Sequence, residues 1–374
     1  MMRASLFITS SNRLLKGSRS MEVKMKKIVR VLLSAGFIIV MFLALQRLVM
    51  PKYVSDIIEG GFTAEYYNET TPHQVLMVGD CELYENFSPI TLWEKYGITS
   101  YIRGSAQQLT WQSYYLLEEA LKRETPDVVI FNVLELKYNE PQREEYNRMT
   151  IDGMKWSASK VNAITASMTE EENFLDYLLP LLRYHSRITE LTKEDFTYYF
   201  DDIQRTTAGY YMRVDVAPYE EGIWEEEEPE DYELGDYAME YMDKITKLCK
   251  EHDIELLLVK APSLSPVWYP EWEEQIIAYA KENDLRYINF LDLVDEIGID
   301  YTTDTYDEGL HMNLSGAEKC ADYLGQYLTE HYELKDMRED TVTSEEWQKK
   351  AAFYYELRDR QYEELEEYGE IISY

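Results

Sequence analysis

The chain reads as a three-layer α/β domain on a parallel sheet, tethered outside the cytoplasm by one N-terminal transmembrane helix. Three observations predict it: an apolar run from Ile28 to Met50, five short apolar runs downstream that suit buried strands, and amphipathic stretches alternating with those runs.

Only Arg30, Gln46 and Arg47 interrupt the first run, so its Val31 to Leu45 centre suits hydrocarbon. Arg3, Arg13, Lys16, Arg19, Lys24, Lys26, Lys27 and Arg30 stand against a lone Glu22, which keeps the N-terminus cytoplasmic and exports the chain beyond the helix. Cleavage would need a small-x-small site after the apolar core. Gln46-Arg47-Leu48-Val49-Met50-Pro51 offers none, so the helix is read as an uncleaved, single-pass signal anchor in the cell membrane.

Residues 1–27 then form a basic cytoplasmic segment, 28–50 the anchor and 51–72 a polar connector. The α/β domain comes in two parts, 73–137 and 235–335, around an insertion at 138–234, and a charged helical tail occupies 336–374. Strands are expected at Gln74 to Asp80, Thr99 to Arg103, Val128 to Val133, Ile254 to Ala261 and Arg286 to Leu291. Near-continuous hydrophobicity in the first, third and fourth implies helices on both faces. Gln107 to Arg123, Asp236 to His252 and Glu271 to Asn283 have apolar residues at helical spacing. A last helix carries Leu314, Ala317, Ala321, Leu324 and Leu328 on one stripe, with Asn313 as its cap.

The insertion breaks this rhythm. It is rich in Tyr, Trp and Met, holds a helical candidate at Glu170 to Glu194, and ends in the acidic run Glu225 to Asp231, which lacks the ligand spacing and glycine of a calcium loop and reads as a solvated linker. It is either a lid over the strand ends or a packing insertion. Its aromatics, Trp156, Tyr184, Tyr198, Tyr199, Tyr210 and Tyr211, suit stacking on sugar rings, but with 33 tyrosines in the chain ordinary packing is the default. In the tail, Trp347, Phe353, Tyr354, Leu357 and Tyr362 punctuate a helix that packs back on the domain or meets a partner.

Beyond residue 47 the chain carries 28 basic against 70 acidic residues, a net of −42, which repels nucleic acid and anionic lipid. Solubility accounts for such acidity. Cys81, Cys249 and Cys320 are too few and scattered for a disulfide framework. His73, His185, His252 and His331 form no metal-ligand cluster by spacing, so neither metal nor cofactor is expected.

In a parallel sheet the active site gathers at the carboxyl ends of the strands. Those ends deliver Gly79-Asp80-Cys81, Arg103-Gly104-Ser105 and Asn132, and the loop after the fifth strand delivers Asp304, Asp307, Glu308 and His311. A thiol, a glycine amide, a carboxamide and an imidazole with nearby carboxylates make an acyl-transfer set: nucleophile, oxyanion donors, base and orienting acid.

With these motifs the sequence resembles the SGNH, or GDSL-type, hydrolase and acyltransferase superfamily over about residues 74 to 330, particularly its membrane-anchored bacterial branch related to cell-surface polysaccharide O-acetylation. VLMVGDCELYENFSP places Cys81 where the family has its serine nucleophile. SYIRGSAQQ supplies the second-strand glycine at Gly104, VVIFNV the third-strand asparagine at Asn132, and DTYDEGLHMNLSGAEKCADYL the closing segment with His311 as base. The resemblance implies a flavodoxin-like three-layer SGNH fold and an esterase or O-acyltransferase acting on acetyl groups of a cell-surface glycan. A membrane protein would supply the acyl group.

Two departures from the family pattern stand out. Cysteine replaces serine at position 81: either a nucleophile whose pKa a helix N-terminus and His311 would depress, or a buried residue on an inactive scaffold that binds glycan. Three residues before His311, where the family has Asp, stands Glu308. Asp307 is chosen as the acid because Gly309 lets the loop fold back, with Asp304 and Glu308 as alternatives.

Overall fold

A computed structural model describes residues 4–51, 62–197, 204–224, 228–229 and 231–372. They fall into two compact units, Met1–Pro51 with Leu178–Asp201, and Lys52–Tyr177 with Asp202–Tyr374. Tyr198, Tyr199 and parts of the connector and acidic run lie outside the described residues.

The first unit centres on the helix Ala4–Val49, whose stretch Lys24–Val49 is the one helix among the described residues long and apolar enough to cross a membrane. At its C-terminal end pack the short elements Pro180–Tyr184, His185–Thr189 and Lys193–Thr197. The Leu181 amide donates to Gln46 Oε1 at 3.3 Å, and Arg187 donates to the Val49 carbonyl at 2.8 Å while pairing with Asp195 at 3.2 Å.

The single helix expected over Glu170–Glu194 is therefore corrected. A helix Phe174–Leu178 precedes the three short pieces, because Pro180 has no N–H to continue it and Leu179 before it leaves the helical region at φ −125°, ψ 74°. Asp195, third in the last piece, accepts from the Thr192 amide at 2.9 Å and so fixes where that piece begins.

In the second unit, five parallel strands β1 (Val75–Gly79), β2 (Ser100–Gly104), β3 (Val128–Asn132), β4 (Glu255–Lys260) and β5 (Arg286–Asn289) run in the order β2-β1-β3-β4-β5. All five expected strands are present, with ends differing by a residue or two, and the order is flavodoxin-like. Every residue of β1, β2 and β3 is buried, as a sheet covered on both faces requires. The crossover helix Thr110–Ala120 packs against Asp236–Glu251, with Tyr115 and Tyr241 hydroxyls 3.0 Å apart. Pro89–Tyr96 packs against Leu314–His331 and Thr341–Tyr368. Thr110–Ala120 starts later than the expected Gln107, since Gln107 itself has a left-handed φ of 50°.

The tail packs back on the domain. Trp347 stacks on Trp93 at 5.3 Å between ring centres, and Trp347, Tyr354 and Leu357 are buried in the main core. Cys249 and Cys320 are buried in that core too.

The chain runs from β1 outward to β2, then returns to β3 on the other side of β1. That reversal opens the crevice between the ends of β1 and β3, where a doubly wound sheet binds its ligands.

Candidate active site

β1 ends at Gly79, and the next residues turn at once into a single helical turn, Cys81–Tyr84. Asp80 caps that turn by accepting from the Glu82 amide at 3.1 Å. Cys81 therefore stands at the first helical position, half-buried at the mouth of the crevice. The Glu85 amide donates back to the Cys81 carbonyl at 3.1 Å, so Cys81 and Glu85 share one face of the turn.

His311 arrives from the other end of the sequence on a loop closed by an antiparallel bridge between Thr305 and Met312. Glu308 and Gly309 take φ values of 64° and 94°, and these two left-handed residues fold the loop back on itself. As a result Asp307 meets His311 twice: Oδ2 lies 2.6 Å from Nδ1, and Oδ1 accepts the His311 amide at 2.7 Å. The Thr305 hydroxyl donates to the His311 carbonyl at 2.8 Å. Cys81, Glu85 and His311 bring one donor atom each within 4.8 Å of one another.

The other candidate acids lie elsewhere. Asp304 is buried and paired with Lys319 at 2.6 Å, where it also accepts the Asp300 amide at 2.7 Å. Glu308 contributes its backbone, accepting from Trp224 Nε1 at 2.9 Å and donating to the Ala217 carbonyl at 3.0 Å.

Gly104 lies in register with Gly79, and a Cβ there would meet the Gly79 carbonyl oxygen at 2.8 Å and the Tyr84 ring at 2.9 Å, so only glycine fits. Asn132 ends β3, fully buried, and its Nδ2 donates to Asp80 Oδ1 at 2.8 Å. The carboxamide expected to face an oxyanion thus spends a donor on the residue before Cys81. Asn132 Oδ1 has no partner among the described residues.

Behind the thiol lies an acid-rich layer. Glu82 pairs with Lys260 at 2.8 Å, both buried. Glu135 accepts from the Ser113 hydroxyl at 2.8 Å, and its burial together with the nearby Asp80 holds its carboxyl far above the usual range. Burial and Glu82 likewise push Asp80 up to about 7.

The sequence-based expectation of a depressed thiol pKa is overturned. Burial, reinforced by Asp80 and Glu85, pushes Cys81 up to about 12 against the opposing pull of His311. His311 moves the other way: burial alone would lower it, but Glu85, the thiol and Asp307 outweigh that and hold the imidazole well above its usual value. Burial, with the flanking carboxylates behind it, favours the thiol over the thiolate by more than one helical turn can offset.

Four functional neighbours escaped the sequence reading. Glu85 Oε2 lies 3.7 Å from His311 Nδ1 and accepts the Tyr306 hydroxyl, and the Tyr306 ring is stacked near His311 at 6.1 Å between centres. The Arg213 guanidinium lies over the Tyr306 ring at 4.6 Å. Asn86 bonds both Ser263 and Met312. Only Glu85, four residues after Cys81, carried a sequence signal.

Fold and site together define a doubly wound α/β protein with a thiol, an imidazole and a carboxylate gathered at its switch point. No family model and no curated protein matches the chain. A GDSL-like lipase from Bacteroides thetaiotaomicron superposes with a TM-score of 0.34 at 11% identity, covering 74% of this chain and 98% of that one. A candidate lipolytic protein of the G-D-S-L family from Desulfitobacterium hafniense gives 0.34 and 11%, covering 68% and 98%. A candidate acylhydrolase from Bacteroides fragilis gives 0.35 and 11%, covering 71% and 94%. Superpositions this loose leave the chemistry to be argued from the residues themselves.

Proposed function

We propose that the chain is an SGNH-like acyl-ester hydrolase or O-acyltransferase that handles acetyl groups on a cell-surface glycan, anchored by its N-terminal helix with the α/β unit outside the cell membrane. The observation that carries this reading is the Asp307–His311 pair at 2.6 Å, with a His311 ring nitrogen within 4.8 Å of the Cys81 sulfur at the carboxyl edge of the sheet. In the reaction, once His311 has lost its extra proton, which its raised value places toward alkaline pH, the thiol proton passes to it as Sγ bonds to the ester carbonyl carbon. The alcohol then departs with that proton, leaving an acyl-thioester. Water or a sugar hydroxyl attacks the thioester, returning the proton to sulfur through His311. Asp307 holds the ring by Nδ1, which leaves Nε2 to exchange protons. Asn132 and the amides of Cys81 and Gly104 are the oxyanion donors of this scheme, with Asn132 using the amide hydrogen not given to Asp80.

The full chain in detergent, freed of metal with EDTA, should release nitrophenol from nitrophenyl acetate and acetate from an O-acetylated polysaccharide. Cys81→Ala and His311→Ala should each abolish both. Turnover that survives either substitution would remove the scheme.

A second reading is favoured by the raised thiol and by the Asn132 donor committed to Asp80. On that reading the chain is a non-catalytic module that binds glycan or scaffolds an envelope assembly. Glycan binding without turnover in the same preparation would select it.

A further inference from the structure

The string Asp80-Cys81-Glu82-Leu83-Tyr84-Glu85 puts a thiol and a carboxylate four residues apart on one helical turn, the spacing by which helices present two metal ligands on one face. His311 adds an imidazole from a distant loop. We infer that Cys81, Glu85 and His311 form a binding site for a thiophilic divalent cation of the Zn²⁺ type. Sulfur, nitrogen and carboxylate oxygen are the donors Zn²⁺ takes, and bond lengths of about 2.0–2.3 Å place neighbouring donors of a tetrahedral shell about 3.3–3.8 Å apart. The three donor atoms lie within 4.8 Å of one another, and with Nδ1 held by Asp307 the imidazole ligates through Nε2. Small side-chain adjustments close the shell.

Two further observations point the same way. The outer partners that a metal site needs are already in place, since Asp307 fixes the imidazole through Nδ1 and the Tyr306 hydroxyl fixes Glu85. The surrounding charge is also negative: Asp307 touches His311 directly and Asp80 precedes Cys81, while the buried Lys260 is committed to Glu82. A dication there offsets that surplus and converts thiol to thiolate by displacing its proton to solvent. Three protein ligands leave a fourth position for water. On the reading that Cys81 is the nucleophile and His311 its base, the cation occupies both and switches acyl transfer off reversibly.

The test uses the full chain in detergent, reduced and stripped with EDTA, whose ester turnover is recorded before Co²⁺ is titrated in. Expected is a near-ultraviolet thiolate-to-cobalt band that saturates at one equivalent and disappears in Cys81→Ser. Glu85→Gln and His311→Ala should each weaken Co²⁺ binding about tenfold or more. Zn²⁺ should displace the band, block iodoacetamide labelling of Cys81 and stop turnover, with EDTA restoring both. The continued inertness of Cys249 and Cys320 to labelling reports that each variant is folded. Absence of the band, or a band indifferent to Glu85→Gln and His311→Ala, overturns the site. Turnover in EDTA without a cobalt band sinks the metal site alone. A band without turnover in EDTA sinks the acyl-transfer reading and leaves the site standing.

Discussion

Asn86 Oδ1 accepts the Met312 amide at 2.6 Å, one residue beyond His311. Asn86 is fully buried and its Nδ2 donates to Ser263 Oγ at 3.1 Å, so one carboxamide ties the turn after β1 to the loop after β4 and to the His311 loop. Asn86→Ala orphans the buried Met312 amide at a cost of about 1–3 kcal/mol. A displaced imidazole should then lower ester turnover about tenfold or more, since catalytic geometry tolerates little movement. Thermal unfolding and kcat measured together check this. A lower Tm with unchanged kcat would confine Asn86 to a structural role.

The three acids near His311 separate by what each touches. Asp307→Asn removes the charge at 2.6 Å from Nδ1 and lets the ring take the wrong tautomer, so kcat should fall about a hundredfold or more with little change in Tm. Asp304→Asn weakens the buried pair with Lys319 and should cost about 1–3 kcal/mol of stability, read in Tm, with kcat per folded molecule nearly intact. Glu308→Gln should alter stability by no more than about 0.5 kcal/mol, because the protein uses the backbone at that position. An equal loss of kcat in all three would show that the loop responds only as a whole.

Which of these relationships could be read from the sequence depends on how far apart the partners lie. The strands were legible because β1, β3 and β4 are runs of Val, Leu and Ile too apolar for anything but a covered sheet. The contact between Asp307 and His311 was legible because both sit in one short loop with a glycine between them. The ties from Glu85 to Tyr306 and from Asn86 to Met312 were not, since each joins the start of the domain to its end and only the strand order creates the proximity. The raised thiol had left only a partial trace: burial, its main cause, depends on the tertiary fold, while Asp80 and Glu85, which reinforce it, stand within four residues of Cys81. Glu170–Glu194 misled because its apolar spacing is helical while Pro180 forces the first of its breaks.

His73, fully enclosed between Glu124 at 3.1 Å and Glu69 at 3.1 Å, predicts a stability optimum in pH. Burial alone would lower the imidazole from 6.5, but its two carboxylate partners outweigh burial and hold it above that value. Burial alone would raise Glu69 and Glu124 from 4.5, but His73, joined by Lys350 at Glu69 and by the Tyr66 hydroxyl at Glu124, outweighs it and holds both below. The raised histidine stabilises the fold fully below its unfolded value and loses that contribution as pH rises through its folded value. The depressed carboxylates stabilise above their unfolded value and lose it as pH falls through their folded values. The contributions therefore overlap between about pH 4.5 and 6.5. Denaturant midpoints for the parent and His73→Gln should differ most between about pH 4.5 and 6.5, and converge as pH rises through the folded value of His73 or falls through those of Glu69 and Glu124. A difference independent of pH would mean that His73 acts through packing alone.

The C-terminal helix Thr341–Tyr368 is part of the core rather than an appendage. Trp347 is fully buried against Trp93, and the Tyr354 hydroxyl accepts from Ser88 Oγ at 3.2 Å and donates to Glu318 at 2.8 Å, joining the helix after β1 to the last core helix. Trp347→Ala should cost about 3–5 kcal/mol through lost burial and the cavity left behind. Ser88 caps Pro89–Tyr96, four residues beyond the turn that carries Cys81, so loosening that contact should reach the site as well. Tyr354→Phe is the sharper probe, since it keeps the ring and deletes only the bridge, and it should lower stability by about 1 kcal/mol. If ester turnover falls with Trp347→Ala in proportion to the folded fraction seen by circular dichroism, the helix supports the fold alone. A loss exceeding that fraction would show that this packing also sets the position of the thiol.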